Sequence, residues 1–563
     1  MIPCRWILPE PIDPAATQRL AEGAGIARFA AELLVRRGVQ SAAEAERFIN
    51  PLLKMLGDPF ALPQMDAAVT RILAAVDSGE RIVLYGDYDV DGVTSLALLT
   101  QVLRAYGVEA PCFLPLRADE GYGLSADGVA RCVAELAPRL LIAVDCGTSS
   151  VAEIATLQAQ GIDVIVLDHH EGKDALPECA AVVNPKLGED FHYLCSVGLV
   201  FKTAHALLKR RPLPDFDLRA HLDLVALGTV ADLVPLHGEN RALVKRGLTQ
   251  LAETRRPGLR ELIAVSGLRA PFTTMNIGFG LAPRLNAAGR LGTAQDALEL
   301  LLTEDASRAR TIAASLDAQN RERRTVEDDV LRQAEAQVAE GFDAERDAAI
   351  VVGAQGWHTG VIGIVASRLQ KRFHRPALVI GFDETGVGKG SGRSIAGLSL
   401  VAALAACGEF LEKHGGHDMA AGLTIREARF AEFRAAFLAH ALGRLSGEQL
   451  QPRLHLDAEL TLGEIDYDLL AHHEALQPFG MAHPQPLFFA RGVTLAAEPR
   501  VMKEKHLSLV LRQNGDEYRA VWFGAANEVR PRLPWDIAFQ IERNEWQGRI
   551  TPQIHIRAVR ASG

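Results

Sequence analysis

Apolar and polar positions follow three different rhythms along this chain. Between residues 81 and 240, short continuous apolar runs ("RIVLYGD", "LLIAVDCG", "IDVIVLDHH") alternate with stretches of helical period such as "VTSLALLTQVLRAYG" and "SVAEIATLQAQG". Short runs that are apolar on both faces read as strands covered on both sides. Helices between such strands act as crossovers, so the pattern predicts a parallel sheet. Residues 303–340, "TEDASRARTIAASLDAQNRERRTVEDDVLRQAEAQVAE", contain neither Gly nor Pro and are rich in Ala, Glu, Gln, Arg and Leu. One long helix joining two domains is the natural reading. Beyond it, "DAAIVVGAQGWHTGVIGIVASRLQ" and "PALVIGF" open a second α/β unit. From about 455 onward, short strands and turns ("HLSLVLRQNGDEYRAVWFG", "RITPQIHIRAV") predict a small β-barrel.

The length of 563 residues exceeds one core, and at about 150 residues per domain it suggests roughly three or four. The chain is 48% hydrophobic and 23% charged, which excludes a disordered or fibrous protein. The first residues lack a basic and then apolar leader, and no apolar run is long enough to cross a bilayer, so a cytoplasmic protein without membrane attachment is expected. Seven cysteines, at 4, 112, 132, 146, 179, 195 and 407, form no C-x-x-C pair and are odd in number. They read as reduced, buried thiols, not as a disulfide framework or a zinc site. The net charge of −10 does not exclude nucleic acid, because local basic clusters persist in "TRRPGLR", "NRERR" and "RLQKRFHR".

The first apolar run continues into "VLYGDYDVDGVTS", with Asp87, Asp89 and Asp91 at alternate positions before Gly92. An EF-hand loop begins this way, but its twelfth position, which needs Glu, is Leu98, and a strand precedes it in place of a helix. Three aspartates so close together still call for a cation. The other two apolar runs also end in acids, Asp145 and Asp168, the latter followed by His169 and His170. Strand ends of an open parallel sheet converge on one crevice. Asp232, in the apolar stretch "LDLVALGTVADLVPL", is a further acid that burial would penalise unless it were paired. Carboxylates mixed with imidazole suit Mn²⁺ or Mg²⁺, as a pair of ions. Two such ions about 3.5 to 4 Å apart support phosphate ester hydrolysis. By contrast, "AHHE" at His472 and His473 lacks the context of a strand ending in an acid and reads as surface chance. His414 and His417 read as part of a turn.

These motifs resemble the successive signatures of the DHH phosphoesterase superfamily. "GLAPRLNAAGRLG", "WHTGVIGIVASRL", "GSGRS" and "GGHDMAAGL", with "RADEGYGLS" at 117–125, narrow the resemblance to its bacterial single-strand-specific DNA exonucleases. The resemblance implies an α/β multidomain fold: an N-terminal helical segment (1–75), a parallel-sheet DHH catalytic domain (76–302), a connecting helix (303–340), a second α/β domain of DHHA1 type (341–454) and an OB-like barrel (455–563). It implies that Asp89, Asp91, Asp145, His169 and Asp232 hold two Mn²⁺ or Mg²⁺ ions. Asp145 would bridge them, Asp87 would be a ligand or its neighbour, and His170 would face the scissile phosphate. Ser391 and Arg393 with Arg117 would hold the 5′ phosphate of a single DNA strand. Arg284, Asn286 and Arg290 would line the path beside the metals, His358 and Arg368 would add contacts, and Trp546 with Arg549 would serve the barrel. Taken without the resemblance, the arginines read as ordinary salt-bridge partners. The implied activity is 5′ exonuclease action on single-stranded DNA by a monomer, with a single-strand-binding protein and a RecQ-like helicase as partners. Relatives in the superfamily that cleave oligoribonucleotides or cyclic dinucleotides, or that serve as non-catalytic scaffolds, are the competing readings.

Overall fold

The computed structural model describes residues 4–115, 123–172, 175–291, 294–344 and 346–563. Its contacts divide the chain into two compact units, one comprising residues 13–320 with 471–485, the other residues 1–12, 321–470 and 486–563.

The first unit is built on five parallel strands: β1 (Ile82–Gly86), β2 (Cys112–Phe113), β3 (Leu140–Val144), β4 (Asp163–Leu167) and β5 (Ala181–Val183). Their order is β2-β1-β3-β4-β5. Pairing sets Val83 against Leu141 and Leu141 against Val164. The period of two then sends Val83, Tyr85, Leu141, Ala143, Val164 and Val166 to one core, while Leu84, Ile142, Val144, Ile165 and Leu167 enter a second core on the opposite face. Each side chain of this kind contributes about 1.5–3 kcal/mol on burial, which is why these strands are apolar at every position. The larger core is completed by α1 (Val90–Ala105), α2 (Ser196–Arg210), α3 (Leu222–Ala231) and α4 (Gly238–Ala252). Residues 222 to 230 of α3 are all buried, as expected of a helix that is apolar all round. A further helix, α5 (Ala282–Leu291), follows a π-helical turn.

The long gap-free pattern folds as a single helix, α6 (Ala306–Gly341), of 36 residues. Ile312 and Leu316 are buried in the first unit's core, and Val330, Ala334 and Val338 in a core of the second. The four-residue spacing within each set puts each on one stripe.

In the second unit, β6 (Ile350–Gln355) and β7 (Ala377–Phe382) are parallel, with α7 (Thr359–Phe373) between them; β8 (Val387–Arg393), β9 (Leu411–Gly416) and β10 (Ala420–Arg426) extend the sheet antiparallel in the order β9-β10-β8-β7-β6. The glycine alternation of β8 has a packing cause. A Cβ on Gly388, Gly390 or Gly392 would overlap Phe382, Leu423 or Leu378, whose side chains fill that space from the neighbouring strands.

The predicted barrel is closed. Strands β11 (Phe488–Leu495), β12 (His506–Gln513), β13 (Asp516–Trp522), β14 (Trp535–Trp546) and β15 (Arg549–Ala561) form the ring β11-β14-β15-β13-β12, and β12 returns to β11 through Thr494–Arg512 and Leu495–Leu511. A register shift between Ala490 and Val493 bends β11, as closure requires. Strands β13 and β15 are parallel.

Helix α8 (Tyr467–Ala475) corrects one expectation. His473 does not lie on the surface: it is buried, its ring is 5.1 Å from that of Phe479, and burial lowers its pKa to about 4. The reason is that residues 471–485 fold onto the first unit, which no local pattern announces. His417 does lie in the turn between β9 and β10, but His414 stands within β9, paired with Leu423 of β10, because the glycines beside it extend the hairpin strand instead of turning it. All seven cysteines are free thiols. Among the described residues, no helix is long and apolar enough to cross a membrane.

Candidate metal centre

The carboxyl ends of β1, β3 and β4 carry the predicted acids into one place. After Gly86 the chain turns through Asp87 into α1, whose N-cap is Asp89, accepting from the Gly92 N–H at 3.1 Å. Gly92 is required by space, since a Cβ there would run into the Asp87 backbone carbonyl. This close approach folds Asp87, Asp89 and Asp91 toward each other within a few residues. Asp91 stands in the first turn of α1 and accepts from the backbone N–H groups of Ser196 and Val197, at 2.7 and 2.9 Å, at the start of α2. Anions are stabilised there by the unsatisfied donors of the helix. Asp145, just past β3, is held in the left-handed region at φ 64° and accepts from Ser196 Oγ at 2.8 Å. A non-glycine residue in that conformation costs about 1–3 kcal/mol and marks a position shaped by function.

Three groups of donor atoms result, each lying within 4.8 Å of one another: Asp87, Asp89 and Asp145; Asp145, His169 and His170; and Asp91, Cys195 and Asp232. Asp145 belongs to two of them. His169 Nε2 lies 3.4 Å from Asp145, 3.6 Å from Asp232 and 3.9 Å from Asp91, yet is buried without a hydrogen-bond partner among the described residues. Burial drives its pKa down to about 3, so the imidazole is neutral and presents a lone pair. The carboxylates respond in the opposite sense. Burial, then the charge of Asp89, pushes Asp91 up to about 7; burial, then Asp91 and Asp89, pushes Asp232 up to about 8; burial and four neighbouring aspartates raise Asp145 well above the carboxylate range. Like charges held this close need protons or cations. A neutral nitrogen aimed without a partner into a set of carboxylates fits a divalent ion of the Mn²⁺ or Mg²⁺ class.

Asp168 has a different task. It accepts from Thr148 N–H at 3.0 Å, His169 N–H at 2.8 Å, His170 N–H at 3.2 Å and His170 Nδ1 at 2.7 Å. Burial opposes its ionisation, but the bonds from His170 and Thr148 hold its pKa below the usual carboxylate range. For His170, burial likewise works against the charge, and the bond to Asp168 with the charges of Asp168, Asp232 and Asp91 brings the pKa up to about 9. The two adjacent histidines therefore differ in charge, one a neutral donor and the other a cation.

Comparison with known proteins agrees. The DHH family N-terminal domain matches residues 81–229, the DHHA1 domain 347–441 and the RecJ OB domain 456–558. The chain is 38% identical over 566 residues to the single-stranded-DNA-specific exonuclease RecJ of Bacillus subtilis, covering 98% of this chain and 70% of that protein. It is 35% identical to RecJ of Escherichia coli, covering 93% and 94%. The chain belongs to the RecJ family. The crystal structure of RecJ with Mn²⁺ from Thermus thermophilus superposes with a TM-score of 0.85 at 31% identity, covering all of this chain and 80% of that one, and the form with Mg²⁺ gives 0.80 at 29%.

The remaining candidates of this RecJ-family chain are unevenly placed. Arg117 lies outside the described residues, as does the side chain of Trp546, whose backbone pairs with Arg549 at the end of β14. In the first unit, Gly289 of α5 packs so closely on the aspartate loop that its Cβ would be 3.1 Å from the Tyr88 carbonyl, which brings the helix carrying Asn286 and Arg290 against that loop. Arg284 on the same helix donates to Asp317 at 2.9 Å and to the Gly280 carbonyl at 2.6 Å. In the second unit, Ser391 and Arg393 meet on β8, with Arg393 Nη1 donating to Ser391 Oγ at 3.2 Å. Among the described residues no carboxylate pairs with Arg393, and Gly363 on α7 leaves it room. His358 is instead the N-cap of α7, accepting from the Gly360 N–H at 3.0 Å. Arg368 is tied to Glu327 at 2.5 Å and Asp328 at 3.2 Å on α6.

Asp168 was visible in the sequence only as a strand-end acid, and its role follows from four converging donors. Four further residues of the site, Ser196, Asn184, Thr148 and Cys195, escaped the sequence reading. Ser196 holds Asp91 and Asp145, whereas Thr148 holds Asp168 and is itself braced by Asn184, which donates to Thr148 Oγ1 and to the His170 carbonyl, both at 2.9 Å. The buried thiol of Cys195 also joins the acids, and burial raises its pKa well above the ordinary value, so it is protonated.

Proposed function

We propose that this chain hydrolyses single-stranded DNA from its 5′ end, releasing 5′ mononucleotides, with two divalent cations, Mn²⁺ or Mg²⁺, as cofactors. The observation that carries this reading is the neutral, unpartnered His169 Nε2 facing Asp91, Asp145 and Asp232. Asp87, Asp89, Asp91, Asp145, His169 and Asp232 would hold the ions, with Asp145 shared because it stands in two of the donor groups. Bound there, the ions would supply charge neutralisation at the phosphodiester and lower the pKa of the attacking water. The side chains do the rest. Asp168 fixes the His170 ring through Nδ1 and keeps it cationic, so that its other nitrogen can donate to the scissile phosphate or protonate the leaving oxygen. Ser391 and Arg393, which meets no carboxylate among the described residues, would take the 5′ phosphate, which sets the polarity. Asn286 and Arg290, beside the aspartate loop, would line the path of the strand, and Arg284, already paired with Asp317, would order that wall. Arg117 would join Ser391 and Arg393 at the 5′ phosphate, and His358, Arg368 and Trp546 would contribute strand contacts elsewhere on the path. The RecJ OB domain match supports single-strand binding by the barrel. A single-strand-binding protein and a RecQ-like helicase are the proposed partners of a monomeric, cytoplasmic enzyme.

The test uses single-stranded DNA labelled at the 5′ or the 3′ end, with a duplex control, in Mn²⁺ or EDTA, comparing the wild type with Asp145→Ala. Metal-dependent release of 5′ mononucleotides from single strands alone, lost in the variant, is the expected result. Preferred cleavage of short RNA or cyclic dinucleotides, or binding without cleavage, would overturn it.

A further inference from the structure

Residues 476–483 form a strap that belongs to the first unit although the chain reaches it only after the second α/β sheet. Its anchor is the buried guanidinium of Arg241 on α4. Arg241 donates to the backbone carbonyls of Leu476 at 2.7 Å, Gln477 at 3.1 Å and Pro478 at 2.9 Å, and to that of Phe48 at 2.6 Å. The Phe48 ring lies 3.7 Å from the guanidinium carbon and 4.6 Å from the ring of His483. Thr274 Oγ1 donates to the Phe479 carbonyl at 2.5 Å, and Arg37 donates to the Pro484 carbonyl at 2.8 Å.

The strap ends against the segment that leaves Asp232. Asp232 is the C-cap of α3, Leu233 follows in the left-handed region at φ 60°, and three residues later the Leu236 N–H donates to the Met481 carbonyl at 2.9 Å. Gly480 touches the same residue: a Cβ there would lie 2.6 Å from Leu236 Cδ1. From the other side, Asn240 Nδ2 donates to the Pro235 carbonyl at 3.0 Å, next in sequence to Arg241. The exit of α3 is thus clamped between α4 and the strap, and α4 supplies the residue that holds the strap.

We infer that the strap is a positioning element for the metal site, with Arg241 and Gly480 fixing the Leu233–Leu236 segment and, through it, the carboxylate of Asp232. The inference rests on Asp232 being a ligand, as proposed above. A strained left-handed residue next to a helix end persists only where its surroundings over-determine it, and here the constraint comes from the Leu236–Met481 bond and the Gly480 contact. Linkage then makes the coupling reciprocal: cation binding at Asp232 tightens the strap, and a docked strap tightens cation binding.

The sign distinguishes this from simple electrostatics. Removing the positive charge of Arg241 should favour a nearby cation, whereas loosening Asp232 should weaken its binding. Titration calorimetry of Mn²⁺ into the full chain, without DNA, is compared for the wild type, Arg241→Met, Gly480→Val, Thr274→Val and Asp232→Asn, with melting temperatures in EDTA. The expected result is Mn²⁺ affinity lowered by roughly tenfold in the strap variants, at the lower end of what outer partners of metal ligands contribute. Hydrogen exchange of residues 476–483 should slow when Mn²⁺ is added to the wild type. Lower melting temperatures with unchanged Mn²⁺ affinity would make the strap merely structural and overturn the inference. Tighter Mn²⁺ binding by Arg241→Met would do the same. Gly480→Val and Thr274→Val keep the test open should the arginine variant fail to fold. Unchanged Mn²⁺ affinity in Asp232→Asn would refute the ligand assignment itself, whereas weakened binding in that variant alone would refute only the strap.

Discussion

Asp168→Asn separates the scaffold of the site from its chemistry. The carboxylate is buried, and both oxygens are used: one accepts from the Thr148 N–H, the other from His169 N–H, His170 N–H and His170 Nδ1. An amide has one acceptor, so its cheapest orientation keeps the oxygen toward the histidines and turns the NH₂ on the Thr148 N–H. An unsatisfied buried donor costs about 1–3 kcal/mol, and loss of charge assistance in the remaining bonds adds about 1 kcal/mol, so about 2–4 kcal/mol in all. The pH dependence has a definite sign. His170 has a raised pKa, so its share of the stability is complete below about 6.5, its ordinary value, and is lost as pH rises through about 9. Asp168 has a lowered one, so its share is present above the ordinary carboxylate value and is lost only in stronger acid. The stability gap between wild type and variant should therefore be wide at pH 6 and narrower above pH 9, leaving the Thr148 contribution. Thermal melts in EDTA at both pH values measure it. With the imidazolium no longer supported, exonuclease rate at neutral pH and saturating Mn²⁺ should fall by about 10²–10⁴-fold, the usual worth of a positioned acid. A variant melting within about 1 °C of the wild type, or retaining its rate, would refute the assignment.

The raised pKa values of Asp91 (about 7) and Asp232 (about 8) mean that the metal-free fold holds these protons more tightly than the unfolded chain, so stability falls as pH rises through that range. Mn²⁺ should consequently raise the melting temperature more at pH 8 than at pH 5.5, and an equal rise at both would contradict the cluster. In Gly228→Ala, a Cβ would lie 2.5 Å from Thr94 Oγ1 and 2.8 Å from Asp91 Oδ1. The forced separation of α1 and α3 should cost about 1–3 kcal/mol and weaken Mn²⁺ binding, both read from melts with and without the ion. Arg393→Ala should lower the preference for a 5′-phosphorylated over a 5′-hydroxyl strand by roughly tenfold or more, the worth of one charged hydrogen bond; equal kcat/KM ratios for wild type and variant would place the phosphate elsewhere.

The acids were legible because β1, β3 and β4 are buried on both faces and so write uninterrupted apolar runs whose ends are unmistakable. Asp87, Asp145 and Asp168 mark those ends directly. What was not legible depends on contacts across long stretches of chain. Nothing near Asp168 says that Thr148 donates to it, and nothing near Arg368 says that Glu327 and Asp328 on α6 occupy it. The arginines show the limit most plainly, since Arg284 and Arg368 are paired with carboxylates while Arg393 meets none among the described residues, and sequence treats them alike. His473 misled for the same reason: its burial is supplied by Phe479 and by a unit that the chain left some 150 residues earlier, a separation on the scale of a whole domain. Barrel closure, too, needed the bulge in β11, which has no composition of its own.

The strap also carries a consequence for biosynthesis. Arg241 is separated from the Leu476 carbonyl that it binds by 235 positions. At translation rates of about 5–20 residues per second, that span takes roughly 12–50 s to make. Throughout this interval the nascent first unit holds a guanidinium and a surface around Phe48 whose partner does not yet exist. A nascent chain stalled before residue 476 should be the species most in need of a chaperone, and the last residues of the strap would complete a sheet domain whose strands were finished long before.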